Sequence, residues 1–426
     1  ALFFRQGARS RFDAVPLPDL GCRVVHPLHE GKEIAMIWTK VSRRDFARAM
    51  GATLGASLVA PDLARSGSST PVAPAAPPGK DPQSGLPAGA VRLDSNENPY
   101  GPSPQALEAM DRSQAVAARY PDALEDKVLE AIAALHGTTR DQVILGCGSG
   151  EILRIAGLAF LGPGKGVVAA EPTFEAVLHH ARVIRAEPIK LPLTADHRHD
   201  LPRMAAACSE QTGLVYVCNP NNPTGTIVTR DEMADFFGRA PKTAMILVDE
   251  AYHHFVEDPR YASASEWIGR VPNLLVVRTF SKIYGLAGMR LGYGVGTKET
   301  IAAMRPHQIW SNANAAVLEA ALASLEDPGL VPRYRRAMNG ARRWLCSELE
   351  KDGRAFIPSQ ANFVMIDIGA DVEPVIAALR ARDILVGRKF PSLPNWLRVS
   401  IGTPEEMQAF LAGLRAVVPR KETRAA

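Results

Sequence analysis

The chain reads as an α/β protein: a large domain on a mostly parallel sheet flanked by helices, then a small C-terminal α+β domain. Three observations lead there. Apolar runs alternate with helical stretches from about Gln142 to Gly296, and such alternation builds a parallel sheet. Three of those runs, about thirty residues apart, each lead into a polar residue or polar cluster. Beyond residue 362, strand, helix, strand and helix follow at short spacing.

Taken in order, a helix is expected from Ser103 to about Ala118, and a strand over Gln142-Val143-Ile144. The glycine-rich stretch 145–151 then opens the helix Ile152–Ala156. Strand 214–218 runs into Asn219-Pro220-Asn221-Asn222-Pro223-Thr224-Gly225, strand 244–248 ends on Asp249, and strand 273–277 precedes Arg278-Thr279-Phe280-Ser281-Lys282. A helical stretch covers Asn312 to about Lys351. The end comprises strand 362–366, a helix from Val372 to about Arg382, a strand over 397–401 and a helix from Thr403. The domain limits that follow are 91–130 for an N-terminal arm with a small-domain segment, 131–310 for the large domain, and 311–426 for a linking helix and small domain.

In open α/β sheets ligands sit at the carboxyl ends of strands, which here carry an amide, a carboxylate and an amine. An amine that condenses with an aldehyde, a carboxylate beside a ring nitrogen and an amide facing a phenolic oxygen together suit pyridoxal 5'-phosphate. Lys282 is the amine; burial beside other cations would keep it neutral part of the time. Asp249 would hold the ring nitrogen protonated. Asn222 and Tyr252 would reach the ring oxygen. The turn carrying Ser149 and Gly150 at a helix N-terminus suits a phosphate. Thr279, Ser281 and Arg290 would complete that cup, and Phe174 would stack on the ring.

These stretches resemble the class I/II, fold-type I pyridoxal-phosphate aminotransferases from about Val91 to Ala416, and within them the histidinol-phosphate aminotransferase subgroup. The resemblance is carried by residues 93–104, Ala118-Arg119-Tyr120-Pro121-Asp122, 221–226, 248–252, 279–290 and 395–403. It implies the large domain of that fold as the cofactor-binding domain, with Lys282 as the covalent anchor. It implies catalytic roles for Lys282, Asp249 and Tyr252, and phosphate contacts from Ser149, Gly150, Ser281 and Arg290. It also implies that Tyr120 reaches the cofactor phosphate of a neighbouring subunit, hence a homodimer with shared active sites. Arg398 is implied as the clamp on an α-carboxylate, Arg388 as a contact for a distal phosphate or carboxylate, and Asn96 as a further substrate contact. The expected reaction moves an amino group between an amino acid or histidinol phosphate and a 2-oxo acid such as 2-oxoglutarate. Alternatives on the same scaffold are an aromatic amino-acid aminotransferase and a lyase of the threonine-phosphate decarboxylase type. The phosphate turn departs from the family pattern, with Ser149-Gly150-Glu151 where an aspartate usually precedes the glutamate.

Residues 36–90 have a different character. Ser42-Arg43-Arg44-Asp45-Phe46 resembles a twin-arginine export signal, followed by a mildly apolar stretch to Ala60 and a Pro/Ala-rich tract. The apolar run is too short for a stable membrane span. The expectation is therefore a periplasmic protein delivered by the twin-arginine translocase, or a cytoplasmic one if the signal is unused. Residues 1–35 are expected to be a non-native upstream extension, with the natural start near Met36.

Composition sets outer limits. Of 426 residues, 46% are hydrophobic and 22% charged, and the net charge is +4, ordinary for a globular enzyme. The arginines of 333–336 read as a solvated helix face rather than a nucleic-acid surface. The five cysteines, Cys22, Cys147, Cys208, Cys218 and Cys346, have neither metal-site nor disulfide-framework spacing. Cys147 and Cys218 are expected to be buried at strand ends. The paired histidines 179/180, 197/199 and 253/254 lack companion ligands, so no metal is expected.

Overall fold

The computed structural model describes residues 89–419. The proposed extension 1–35, the Arg43-Arg44 pair, the linker to residue 88 and Cys22 lie outside the described residues. The strands are, in chain order, β1 (Val91–Leu93), β2 (Val143–Gly146), β3 (Gly166–Glu171), β4 (Pro188–Pro192), β5 (Thr212–Cys218) and β6 (Met245–Asp249). They continue with β7 (Leu274–Thr279), β8 (Gly292–Gly296), β9 (Phe356–Ile357), β10 (Phe363–Asp367), β11 (Ile384–Val386) and β12 (Trp396–Ser400).

The large sheet has seven strands in the order β2-β8-β7-β6-β5-β3-β4. Pairings from β4 through β7 are parallel, and β8 runs antiparallel to both its neighbours. The central strands β5, β6 and β7 are buried throughout, as expected of strands covered on both faces. Side chains alternate between the faces. Leu214, Tyr216, Cys218, Met245, Leu247, Leu275 and Val277 pack with Ile152 and Ile155 of helix Ser149–Phe160. Val215, Val217, Ile246, Val248, Leu274 and Val276 pack with Phe236 and Phe237 on the other face. By this period of two, Asp249 and Thr279 continue the face that carries Tyr216 and Cys218.

A second, antiparallel sheet has the order β12-β10-β9. The arm strand β1 pairs in parallel with β11, Val91 opposite Ile384, so the start of the described chain belongs beside its C-terminal part. Helix starts follow local chemistry: Ser103 caps helix Pro104–Arg112, and Thr403 with Glu406 forms a capping box on helix Pro404–Val417.

Three local expectations change. Helix Pro104–Arg112 gives way to a 3-10 turn over Ser113–Val116 before Ala118. The stretch from Asn312 is two helices, Ala315–Leu325 and Leu330–Lys351. Pro328 lies between them, and a proline disfavours helical backbone in the residue before it. Cys147 is exposed, not buried, because it follows β2 in the turn, whereas Cys218 is the last residue of its strand and is buried. Among the described residues no helix is long and apolar enough to cross a membrane.

Candidate active site

A cavity of about 460 Å3 opens where β5, β6 and β7 end. It is lined by Asn96, Ser149, Gly150, Phe174, Asn222, Asp249, Tyr252, Thr279, Ser281, Lys282, Arg290 and Arg398. Residues spread over three hundred positions thus converge on one space, and two expected residues lie elsewhere.

The carboxylate comes first, because its surroundings are the most restrictive. Asp249 is buried, opposite Cys218 in the β5–β6 register. Burial pushes its acid up to about 6, while hydrogen bonds from the Tyr216 hydroxyl (3.0 Å) and the Ala251 N–H (3.1 Å) favour the carboxylate. A buried acid of this kind gains most from a cation placed opposite it. Lys282 points into the same cavity, its Nζ donating to the Ser95 carbonyl at 3.1 Å and lying 5.7 Å from the Tyr252 ring centroid. Burial, then the positive field of Arg398, holds the amine down at about 8. Such an amine is partly neutral near neutral pH and able to attack an aldehyde.

A polar chain crosses the cavity floor. Arg398 donates to the Asn222 side-chain carbonyl at 2.8 Å and to the Asp94 carbonyl at 2.7 Å. Asn222 and Asn96 both donate to the Tyr252 hydroxyl, at 3.4 and 3.1 Å. Burial raises the Tyr252 phenol well above its usual range, so it stays protonated and can itself donate to an oxygen. Asn96 has φ 54°, a left-handed conformation that asparagine tolerates better than most residues. Its N–H donates to Ser400 Oγ at 2.8 Å, and Asn362 donates to its carbonyl at 3.0 Å. The arm is thereby tied to β12 and to the start of β10.

The opposite end is a cup for an anion. Helix Ser149–Phe160 starts at the cavity, and the first turn of a helix leaves N–H groups without intrahelical partners. Gly148 has φ 78°, and a Cβ there would collide with the Arg290 guanidinium; one on Gly292 would collide with the backbone of Ser149. Arg290, itself at φ 65°, donates to the Ala287 carbonyl at 2.9 Å and to Ser281 Oγ at 3.4 Å. Glu151 braces the turn, accepting from the Cys147 N–H and from Asn312. Thr279 lines the cup while its Oγ1 accepts from the Ser281 N–H at 3.0 Å. Phe174 is 40% exposed, leaving ring area for stacking at the cavity wall.

The anion cup, the buried acid and the low-pKa amine fit pyridoxal 5'-phosphate in its three distinct parts. Ser149, Gly150, Ser281 and Arg290 would hold the phosphate, Asp249 the ring nitrogen and Lys282 the aldehyde carbon. When bound, the cofactor withdraws electrons from a substrate carbon through its protonated ring.

Two expected residues stand apart. Tyr120 is 84% exposed and lies in a shallow surface cleft with Val116, Pro121 and Leu124, so it does not reach the cavity of its own chain. Arg388 is not among the cavity's lining side chains; it pairs with Glu175 at 2.6 Å. It shares the Phe390 ring with Arg398, the two guanidiniums lying 4.4 and 5.4 Å from that ring's centroid. Reading the sequence missed Tyr216. Its signal was a hydroxyl in an otherwise apolar strand, since a buried tyrosine hydroxyl usually finds a partner. The Ser95 and Asp94 carbonyls carried no signal, because a backbone acceptor has no residue type.

The fold and this cavity define a fold-type I pyridoxal-phosphate enzyme. Residues 88–414 match the aminotransferase class I and II family, and the chain belongs to that family. It is a pyridoxal-phosphate-dependent aminotransferase. A histidinol-phosphate aminotransferase of Moorella thermoacetica is 38% identical over 332 residues, covering 77% of this chain and 85% of the relative. Histidinol-phosphate aminotransferase 2 of Ralstonia nicotianae is 37% identical over 339 residues, covering 79% and 90%. Among solved structures, the histidinol-phosphate aminotransferase of Sinorhizobium meliloti in complex with pyridoxal-5'-phosphate superposes with a TM-score of 0.73. It is 27% identical and covers 77% of this chain and 91% of that one.

Proposed function

We propose that the enzyme transfers the amino group of histidinol phosphate to 2-oxoglutarate. The observation that carries this reading is the pair of guanidiniums, Arg398 and Arg388, that share the Phe390 ring at 5.4 and 4.4 Å from its centroid. An amino acid offers a carboxylate at Cα, within reach of Arg398 in the cavity. Histidinol phosphate carries a methylene, an oxygen and a phosphate in that place, so its anion reaches farther. Arg388 lies outside the cavity lining that includes Arg398, which suits it to an anion on a longer arm. The named relatives favour the same substrate.

In this reading Lys282 would hold the cofactor at its aldehyde carbon, and its amine is placed to move the proton at the substrate Cα. Asp249 would keep the ring nitrogen protonated. Tyr252, with Asn222 and Asn96 bonded to its hydroxyl, would donate to the ring oxygen, and Phe174 would offer a face for stacking. Asn96 fixes the arm that closes over the substrate. Tyr120 completes the phosphate cup of a second copy in a homodimer; its exposure and its distance from its own cavity favour that role. The Arg43-Arg44 signal sends the folded enzyme to the periplasm, a route compatible with loading the cofactor first.

Incubating the holoenzyme with histidinol phosphate and 2-oxoglutarate, and separately with aromatic amino acids, tests the substrate. Glutamate should form fastest from histidinol phosphate. Release of carbon dioxide without glutamate would overturn the reading. Cell fractionation of the Arg43→Lys, Arg44→Lys double variant tests export: equal periplasmic recovery of variant and parent defeats it.

A further inference from the structure

Glu175 follows Phe174 at the cavity wall and is the N-cap of helix Ala176–Val183. Short side chains such as Asp or Ser are favoured there because they accept from free helix N–H groups; the longer Glu175 side chain makes no capping hydrogen bond. It turns instead to Arg388, whose Nη2 donates to Oε2 at 2.6 Å. Arg388 Nη1 also donates to the Lys389 carbonyl at 3.1 Å. The guanidinium carbon lies 4.4 Å from the Phe390 ring centroid, so ring and carboxylate both hold it. A cleft of about 200 Å3 lies alongside, lined in part by Glu175, Phe390 and Ser392.

We propose that Glu175 is a specificity-determining residue, an internal competitor whose carboxylate occupies Arg388 until the phosphate of a substrate displaces it. This rests on the reading of Arg388 as the contact for the longer anionic arm. Two physical facts make exchange feasible. The pair is half-exposed, 54% for Arg388 and 58% for Glu175, so the released carboxylate returns to water and the lost attraction is small. A phosphate dianion offers more charge and more acceptor oxygens than a carboxylate, and a guanidinium binds it through two parallel hydrogen bonds. A substrate without such an arm leaves the pair closed. The resident pair therefore weakens every substrate that engages Arg388 and leaves the others unaffected, which narrows the preference for phosphorylated donors.

Titrating inorganic phosphate into the holoenzyme at pH 8 by calorimetry, with the cofactor's own phosphate cup filled, reads the gate without turnover. Glu175→Gln should tighten phosphate binding by about threefold or more, the worth of an exposed ion pair. Arg388→Ala should abolish that gain, and adding Glu175→Gln to Arg388→Ala should change nothing further. In half-reactions, Glu175→Gln should raise the ratio of kcat/KM for histidinol phosphate to that for phenylalanine, through KM. Unchanged or weaker phosphate binding in Glu175→Gln overturns the proposal, as does a gain that persists without Arg388. Failure of histidinol phosphate to donate an amino group overturns the substrate reading instead, and the phosphate titration still decides the role of Glu175.

Discussion

The Tyr216 hydroxyl donates to Asp249 Oδ2 at 3.0 Å, from one central strand to the next. A donor to a carboxylate stabilises its charged form, so Tyr216 opposes the burial that lifts the Asp249 acid to about 6. Removing the hydroxyl in Tyr216→Phe should raise that pKa further, by about one unit for a hydrogen bond to a charged group. As pH falls, cofactor affinity of the apoenzyme should then be lost earlier in the variant than in the parent. Fluorescence titration of apoenzyme with pyridoxal phosphate across pH 5–8 measures the shift; superimposable acid limbs would sever Tyr216 from the function of Asp249.

Lys282, held at about 8, sets a second pH dependence in the same direction but at higher pH. Its amine becomes nucleophilic as it deprotonates, so capture of the cofactor by apoenzyme should accelerate about tenfold per pH unit below 8 and level above it. Lys282→Ala should keep the fold and the anion cup but lose covalent attachment. Borohydride reduction and peptide mapping of the parent should mark Lys282, and a label on another lysine would refute the assignment.

Arg398→Ala should raise the Michaelis constant for glutamate more than tenfold, because one partner of a desolvated charge pair is worth about 2–5 kcal/mol. Loss of the donor to Asn222 Oδ1 should also loosen the hold on Tyr252, visible as a lower kcat. Steady-state kinetics with glutamate and histidinol phosphate separate the two, and a glutamate constant within threefold of the parent removes Arg398 as the anchor.

Tyr120→Phe should weaken cofactor retention if its hydroxyl serves a second copy's phosphate cup. Mixing Lys282→Ala subunits with Tyr120→Phe subunits should regenerate one site having both groups, and so restore part of the lost activity. Hybrid dimers, identified by differential tagging, that recover nothing would show that the sites are not shared.

The cofactor side of the site was legible in the sequence because strand ends are fixed by the chain itself. An apolar run of five residues buries a strand, and the polar stretch after it stands at the rim; Asp249 opens such a stretch, and Asn222 and Lys282 lie a few residues into theirs. The period of two would also have placed Tyr216 on the Asp249 face, had the neighbour order β5-β6 been known. Neighbour order is a long-range property and left no local mark. The Glu175–Arg388 pair spans 213 positions and was equally invisible: Arg388 was expected to meet a substrate anion, and nothing local tied it to Glu175. Cys147 was misjudged because one residue separates the buried end of β2 from the open turn.

The contacts that tie Asn96 to Ser400 and Asp94 to Arg398 each join residues 304 positions apart. On a ribosome, the arm emerges long before β12 is made. The large sheet can assemble while the arm is still undocked and the cavity's arginine is still missing. A cofactor arriving then meets a half-built vessel from which it readily leaves. Retention begins only when the last strand docks, which makes the order of synthesis itself a timer: loading follows completion of the chain, and any passage out of the cytoplasm would have to wait for it.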